Sequence, residues 1–206
     1  MRMSKLRTTL RPPRWRVAIV DDHEASRAAL REAIVAAGGE IAGEASGSTD
    51  ALDLITRSNA DVAIFAVGLS DGDGVDAAAD VIATARCPVV LLTSRTGEEL
   101  VDRARDAGVM AYLLKPLRPA ELAPTLDLAI ARFAEARELR QALADRKIIE
   151  RAKGTLMARF GLTEDAAFRR LRRTAMNSRR PMVEIARALL VSESVARDVP
   201  AQAAHH

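Results

Sequence analysis

The sequence predicts an α/β domain on a five-stranded, parallel, doubly wound sheet, then a long helical linker, then an all-α module of three helices. Three features lead there. Short apolar runs alternate with helical patterns from Arg16 to Leu114. The pattern turns helical after Pro119 and stays so. Beyond Gly161 two more amphipathic segments follow, each with its own start signal. A chain of 206 residues has room for one ordinary domain of ~100–150 residues and a smaller unit.

RVAIV (Arg16–Val20), VAIFA (Val62–Ala66) and PVVLL (Pro88–Leu92) are continuous apolar runs, as strands buried on both faces require. EIAGEA (Glu40–Ala45) and AYLL (Ala111–Leu114) are shorter strand candidates. Helical patterns cover Glu24–Ala37, Thr49–Ser58, Gly74–Ala85 and Glu98–Ala107. Strands alternating with helices imply a parallel sheet covered on both faces. Ligands of such sheets gather at the carboxyl ends of the strands. Next, Leu122, Leu126, Ala129, Phe133, Ala136, Leu139 and Leu143 recur at three- and four-residue spacing. The early part of this heptad-like stripe is expected to pack on the sheet, and the rest on a second copy's helix, giving a homodimer.

In the module, Ile149, Ala152, Leu156 and Phe160 form one apolar face, closed by Gly161 as a C-terminal cap. Thr163 is a good N-cap, with Glu164 and Asp165 in the electropositive first turn. Phe168, Leu171 and Ala175 are the expected core face of that second helix. The third helix starts near Pro181 and buries Met182, Ile185, Ala186 and Leu189. The expected segments are a basic flexible tail (1–15), the α/β domain (16–134), a coiled-coil linker (135–146), the three-helix module (147–191) and a flexible tail (192–206).

Hydrophobic residues make up 49% of the chain, enough for a core, and aromatics only 3%. So few rings argue against a carbohydrate site or a base-stacking sheet. The single cysteine, Cys87, lies in an apolar run and fits a reducing compartment as a small buried side chain. No apolar run approaches the ~20 residues that span a bilayer, and the basic N-terminus lacks the apolar core of a signal peptide. A cytoplasmic protein without a membrane partner is expected. Charge is segregated: residues 1–16 carry +6, residues 17–145 carry −10 and residues 146–180 carry +8. A compact basic block after an acidic body suggests a polyanionic partner. With no nucleophile–base pair, phosphate loop or dense metal cluster, an enzyme is not expected.

Asp21 and Asp22 follow the first strand, Thr93 ends the fourth, and Lys115 ends the fifth, three residues after Tyr112. These groups should converge on one pocket. Paired carboxylates suit a hard divalent cation such as Mg²⁺.

IVDD, LLTS and YLLKP make residues 16–134 resemble the receiver domain of response regulators, a flavodoxin- or CheY-like fold. The resemblance implies an acid pair, a switch hydroxyl and a lysine around a phosphoacceptor aspartate at the end of the third strand. Aligned on DVAIFAVGLSDGDG, the acceptor position is Ala66. A methyl group neither accepts phosphate nor ligates metal. The receiver is therefore expected to be atypical, with no required cofactor and at most weak Mg²⁺ at Asp21 and Asp22. A regulatory protein or ligand at the receiver would then replace phosphate. Asp71 and Asp73 read as loop or helix-cap residues, with phosphate acceptance as the competing reading.

RKIIERAKGTLMARFGLTEDAAF and the RRLRRTAMNSRRPMVEIA after it resemble the ANTAR module of transcription antitermination regulators. That resemblance implies binding of RNA stem-loops in nascent transcripts. Lys153, Gly154 and Arg159 of the first module helix are the expected contacts, with Arg169, Arg170, Arg172 and Arg173 of the second and Arg179 and Arg180 at the following turn. A DNA-binding response regulator and a protein-interaction adaptor without nucleic acid are the rival readings.

Overall fold

The computed structural model describes residues 14–84, 87–95 and 97–198. The chain divides into an α/β unit, Met1–Ala136, and a helical unit, Arg137–His206. The α/β unit runs β1 (Arg16–Val20), α1 (Glu24–Ala36), β2 (Glu40–Ala45), α2 (Ala51–Ser58) and β3 (Val62–Ala66). A short hairpin of β4 (Gly68–Leu69) and β5 (Gly72–Asp73) follows, then α3 (Gly74–Ala83), β6 (Val89–Thr93), α4 (Glu98–Asp106), β7 (Ala111–Leu114) and the start of α5 (Pro119–Phe160).

The five long strands form one parallel sheet in the order β2-β1-β3-β6-β7. Crossing from β2 to β1 and then to β3 reverses the direction of winding, which opens a crevice beyond the carboxyl ends of β1 and β3. Period-two alternation sends successive residues of each strand to opposite layers. Val20, Phe65 and Leu91 pack with Ile55, Val75 and Val81. Val17, Ile19 and Ile64 pack with Leu30, Ile34, Leu122 and Leu126. Both clusters hold fully buried side chains, so the central strands β1, β3 and β6 are buried on both faces, while β2 and β7 at the sheet edges are only partly buried.

Several details differ from expectation. β6 is shifted one residue along, so Thr93 itself is paired, opposite Leu114. The hairpin of β4 and β5 was not anticipated, because two-residue strands leave no periodicity to read. Trp15, placed in the tail by sequence, is buried in the core, and its indole N–H donates to Asp127 Oδ1 at 2.9 Å. Arg14 stacks on that ring at 4.4 Å and pairs with Asp127. The α/β unit thus includes residues before the first strand, and residues 1–13 lie outside the described residues. Cys87 is buried, and burial pushes its thiol up to about 12, which suits a small core side chain.

The helical unit comprises the end of α5 with α6 (Glu164–Ser178) and α7 (Met182–Asp198). Gly161 takes φ +62° at the end of α5, and the Thr163 hydroxyl accepts from the Ala166 N–H at 3.3 Å to start α6. Ala152, Leu156, Ala167, Leu171 and Ala186 form the core. The α6 face is set by Ala167, Leu171 and Ala175, while Phe168 is only half-buried. Small alanines let three short helices approach closely, where a phenylalanine would hold them apart. Along α5 the apolar stripe divides. Leu122, Leu126, Ala129 and Phe133 are buried, whereas Leu139 and Leu143 are 64% and 54% exposed.

Gly74 begins α3 so close to β3 that an added Cβ would lie 1.8 Å from the Ala66 carbonyl oxygen. Gly74→Ala is therefore expected to destabilise the α/β unit by about 1–3 kcal/mol. At Gly68 an added Cβ meets nothing within 4 Å, so Gly68→Ala should change stability by less than about 0.5 kcal/mol. Urea unfolding followed by the fluorescence of Trp15 measures both, and equal effects would contradict this packing.

Candidate functional site

β1, β3, β6 and β7 deliver Asp21, Ala66, Thr93 and Lys115 to one end of the sheet. A cavity of about 640 Å³ opens there, lined among others by Ala66, Thr93, Arg95, Arg103 and Lys115. Asp21 is fully buried beside it. Its Oδ2 accepts from Lys115 Nζ at 2.8 Å and from the Ser26 hydroxyl at 2.6 Å, and its Oδ1 from the His23 N–H at 2.9 Å. Burial pushes this carboxyl up. The Lys115 ammonium, the Ser26 hydroxyl and the His23 N–H outweigh that push, so it titrates below the ordinary aspartate value. Asp22 turns the other way. It meets the His23 ring at 2.6 Å and accepts from the Ser70 N–H at 2.8 Å; burial raises its pKa, but these contacts leave it lowered.

The Thr93 hydroxyl donates to the Arg95 carbonyl at 2.7 Å and accepts from the Arg95 N–H at 3.1 Å. It therefore closes its own loop. Tyr112 stands apart from the cavity, 49% exposed on the edge strand β7. The expected convergence thus holds for the acid, the hydroxyl and the lysine, but not for the tyrosine. Asp71 accepts from the N–H groups of Ser48 and Thr49 at 2.9 and 3.2 Å, and those bonds hold its carboxyl at about 2. Asp73 caps α3 through Val75 N–H at 2.7 Å and pairs with Arg103 at 2.9 Å. Both carboxylates are engaged in tying loops down.

In the helical unit the basic residues sort by partner. Lys153, expected to point outward, is 7% exposed, with its ammonium between Glu150 at 2.8 Å and Glu164 at 2.7 Å. Hydrogen bonds to Glu150 and then Glu164 raise its pKa. Its aliphatic stem belongs to the core and its charge is already matched. Arg159 pairs with Glu193, Arg169 with Asp165 at 2.7 Å and Arg180 with Glu184 at 3.0 Å. Arg170 stacks on Phe160 at 4.6 Å. Arg172, Arg173 and Arg179 are exposed and make no ion pair among the described residues. Gly154 faces open space, with nothing within 4 Å of an added Cβ.

Comparison with known proteins agrees with both halves. The response regulator receiver domain matches residues 17–127, and the ANTAR domain matches residues 137–190. The transcriptional regulatory protein PdtaR of Mycobacterium tuberculosis is 37% identical over 190 residues, covering 89% of this chain and 93% of that one. The chain belongs to the ANTAR-type response regulators. A nitrate regulatory protein of Klebsiella oxytoca shares 47% identity over 62 residues, 30% of this chain and 16% of that one. The receiver domain of a modulated diguanylate cyclase from Desulfovibrio desulfuricans superposes with a TM-score of 0.55 at 26% identity, covering 59% of this chain and 98% of that one.

The ANTAR match begins at residue 137 and so overlaps residues 137–146 of the expected linker. This regulator's acid pocket fits Mg²⁺ poorly. Ligand atoms of Asp21, Asp22 and His23 lie within 4.8 Å of one another, but both carboxylates are already engaged and Ala66 offers no side-chain oxygen. A hard cation needs about six oxygen ligands, and imidazole is not a preferred one. Ser26, Arg95 and Arg103 were not anticipated at the pocket. Ser26 stands on α1, Arg103 on α4 and Arg95 in the loop after β6, and none of them carries a motif in the sequence.

Asp71 stabilises the receiver fully above the ordinary aspartate value near 3.8, and that contribution is lost as pH falls toward about 2. Asp71→Asn should lower stability at neutral pH and flatten its decline between those two values. Urea midpoints across that range measure this, and parallel curves for the two proteins would rule it out.

Proposed function

We propose that this regulator binds RNA stem-loops in nascent transcripts through its ANTAR module and promotes antitermination in the cytoplasm, while its receiver works without aspartyl phosphate. The observation that carries the reading is the set of exposed, unmatched guanidinium groups at Arg172, Arg173 and Arg179. Arginine forks onto phosphates and base edges, and a hairpin loop offers unpaired bases that a protein can read. The exposed Leu139 and Leu143 support a homodimer formed along α5.

Ala66, at the end of β3, supports the second half of the reading: its methyl group offers no oxygen to phosphorylate. Asp71 and Asp73 are engaged elsewhere, Mg²⁺ is held weakly at most, and none is required. A ligand or regulatory protein at the receiver takes the place of phosphate as the input.

Arg179 adds an independent argument. It sits at φ +52° in the turn after α6, with its N–H donating to the Met176 carbonyl. Glycine is the usual residue in that left-handed position. An arginine kept there at a conformational cost is consistent with a side chain retained for binding.

Filter retention of an RNA hairpin across a salt series tests the module. Arg172→Ala/Arg173→Ala should weaken retention and reduce the slope of log affinity against log salt by about 1–2. Lys153→Met should leave the slope unchanged. Equal competition by duplex DNA would favour a DNA-binding regulator, and a flat salt response would favour a protein adaptor. Arg179→Gly should raise stability by up to about 1 kcal/mol while weakening retention, which separates the two roles of that turn.

A small phosphodonor with Mg²⁺ is expected to leave no hydroxylamine-sensitive label on the native chain, and Ala66→Asp to gain one. Stoichiometric label on the native chain would overturn the phosphate-independent reading.

A further inference from the structure

One surface of α6 has a form that the general attraction of arginine for RNA does not explain. Residues Ala166, Arg170, Arg173 and Asn177 recur at the three- and four-residue spacing of a single helix face. That face lies away from the core face of Ala167, Leu171 and Ala175. With Leu162 and Met176 it bounds an open groove of about 580 Å³. This lies inside the roughly 300–1,000 Å³ typical of small-ligand sites.

The floor is apolar and the rim cationic. Leu162, Ala166 and Met176 supply the apolar surface, and Met176 is 69% exposed. Arg169, Arg170, Arg172 and Arg173 surround it. Arg170 is held against the half-exposed Phe160 ring at 4.6 Å, so its guanidinium plane is oriented before anything binds. Asn177 is the one neutral side chain in the lining that both donates and accepts hydrogen bonds.

A bare phosphate backbone would use the rim and leave the floor wet. An apolar peptide would use the floor and leave four guanidinium groups to be desolvated. A nucleotide uses both. Its base is a flat apolar face edged with donors and acceptors, and its phosphates are anionic. A polarizable, flexible methionine can shape itself to such a base, and base–guanidinium stacking extends the platform. Resting on the RNA-binding reading above, we propose that this α6 groove takes one unstacked loop base of the RNA, read at its edge by Asn177 and seated on Met176. Arg172 and Arg173 hold the flanking phosphates. The groove then sets sequence preference, and the rest of the arginine surface sets affinity.

The full-length chain is incubated with a pool of RNA hairpins that share one stem and carry a fully randomised loop, and retained RNA is sequenced. The native chain should enrich one base at one loop position. Asn177→Ala should erase that preference while still retaining hairpins. In a selected hairpin, making that position abasic should weaken the native chain about tenfold and the Asn177→Ala variant by clearly less, because only the seat on Met176 is then lost. Met176→Glu should lower retention of all hairpins. Both residues are exposed, so folding is preserved, and thermal unfolding checks this. Retention without base preference, or a preference that survives Asn177→Ala, overturns the groove proposal and leaves RNA binding standing. Failure to retain any hairpin at low salt overturns both.

Discussion

A single buried carboxylate organises the sheet end of the receiver. Asp21 is fully inaccessible, and an ionised group in that position is tolerated only when paired and hydrogen-bonded. Lys115, Ser26 and the His23 N–H meet that demand. Satisfying one charge therefore joins the end of β1 to the first turn of α1 and to the exit of β7. Removing either partner of the Asp21–Lys115 pair would strand the other beside a cavity, so the two must be kept together or lost together. The loops nearby follow the same logic. Asp22 anchors Ser70, Asp71 anchors Ser48 and Thr49, and Asp73 caps α3 while holding Arg103. The acids of this region form a scaffold of loop ties around Ala66.

That scaffold explains how a receiver can keep its shape with a methyl group on β3. The pocket's fixed charges are balanced against one another and not against a carboxylate at position 66. Gly74 remains forced by the close approach of α3 to the Ala66 carbonyl, which is a backbone constraint indifferent to the side chain there. The architecture of the crevice is thus independent of the chemistry it would host.

The five strands of the parallel sheet, the long helix and the three module helices were legible because each is long enough for a pattern to show or buried enough to be apolar, which the two-residue strands β4 and β5 are not. The acid, hydroxyl and lysine of the pocket were legible because the topology of a parallel sheet brings strand ends together. What stayed hidden depends on distances across the fold. The burial of Trp15 follows from Asp127, more than a hundred residues later. Tyr112 looked like a pocket residue by proximity to Lys115, but β7 is an edge strand, and alternation turns that side chain outward. Lys153 read as a surface cation because its partner Glu164 lies on another helix, and the sequence cannot register that approach. Phe168 looked like the natural core residue of α6, yet Ala167 takes that place beside Leu171 and Ala175, where a small side chain lets the helices pack closely.

The charges of the two halves differ in kind, which the net values of −10 and +8 do not reveal. Many receiver acids are matched internally, as Asp21, Asp73, Glu44 and Asp127 are. In the module, Arg169, Arg170, Arg172 and Arg173 stand within two turns of one helix, and Asp165 offsets only the first. Like charges at that spacing destabilise a helix by about 0.2–0.5 kcal/mol per pair. The core beneath is small, built largely from alanine and leucine, so such repulsion is a real fraction of what holds the unit together. A polyanion bound to the folded form relieves that repulsion and stabilises the fold by linkage. Folding and the proposed RNA binding are then coupled through the same guanidinium groups: an arginine surface that weakens the free module makes the bound module the more favoured state.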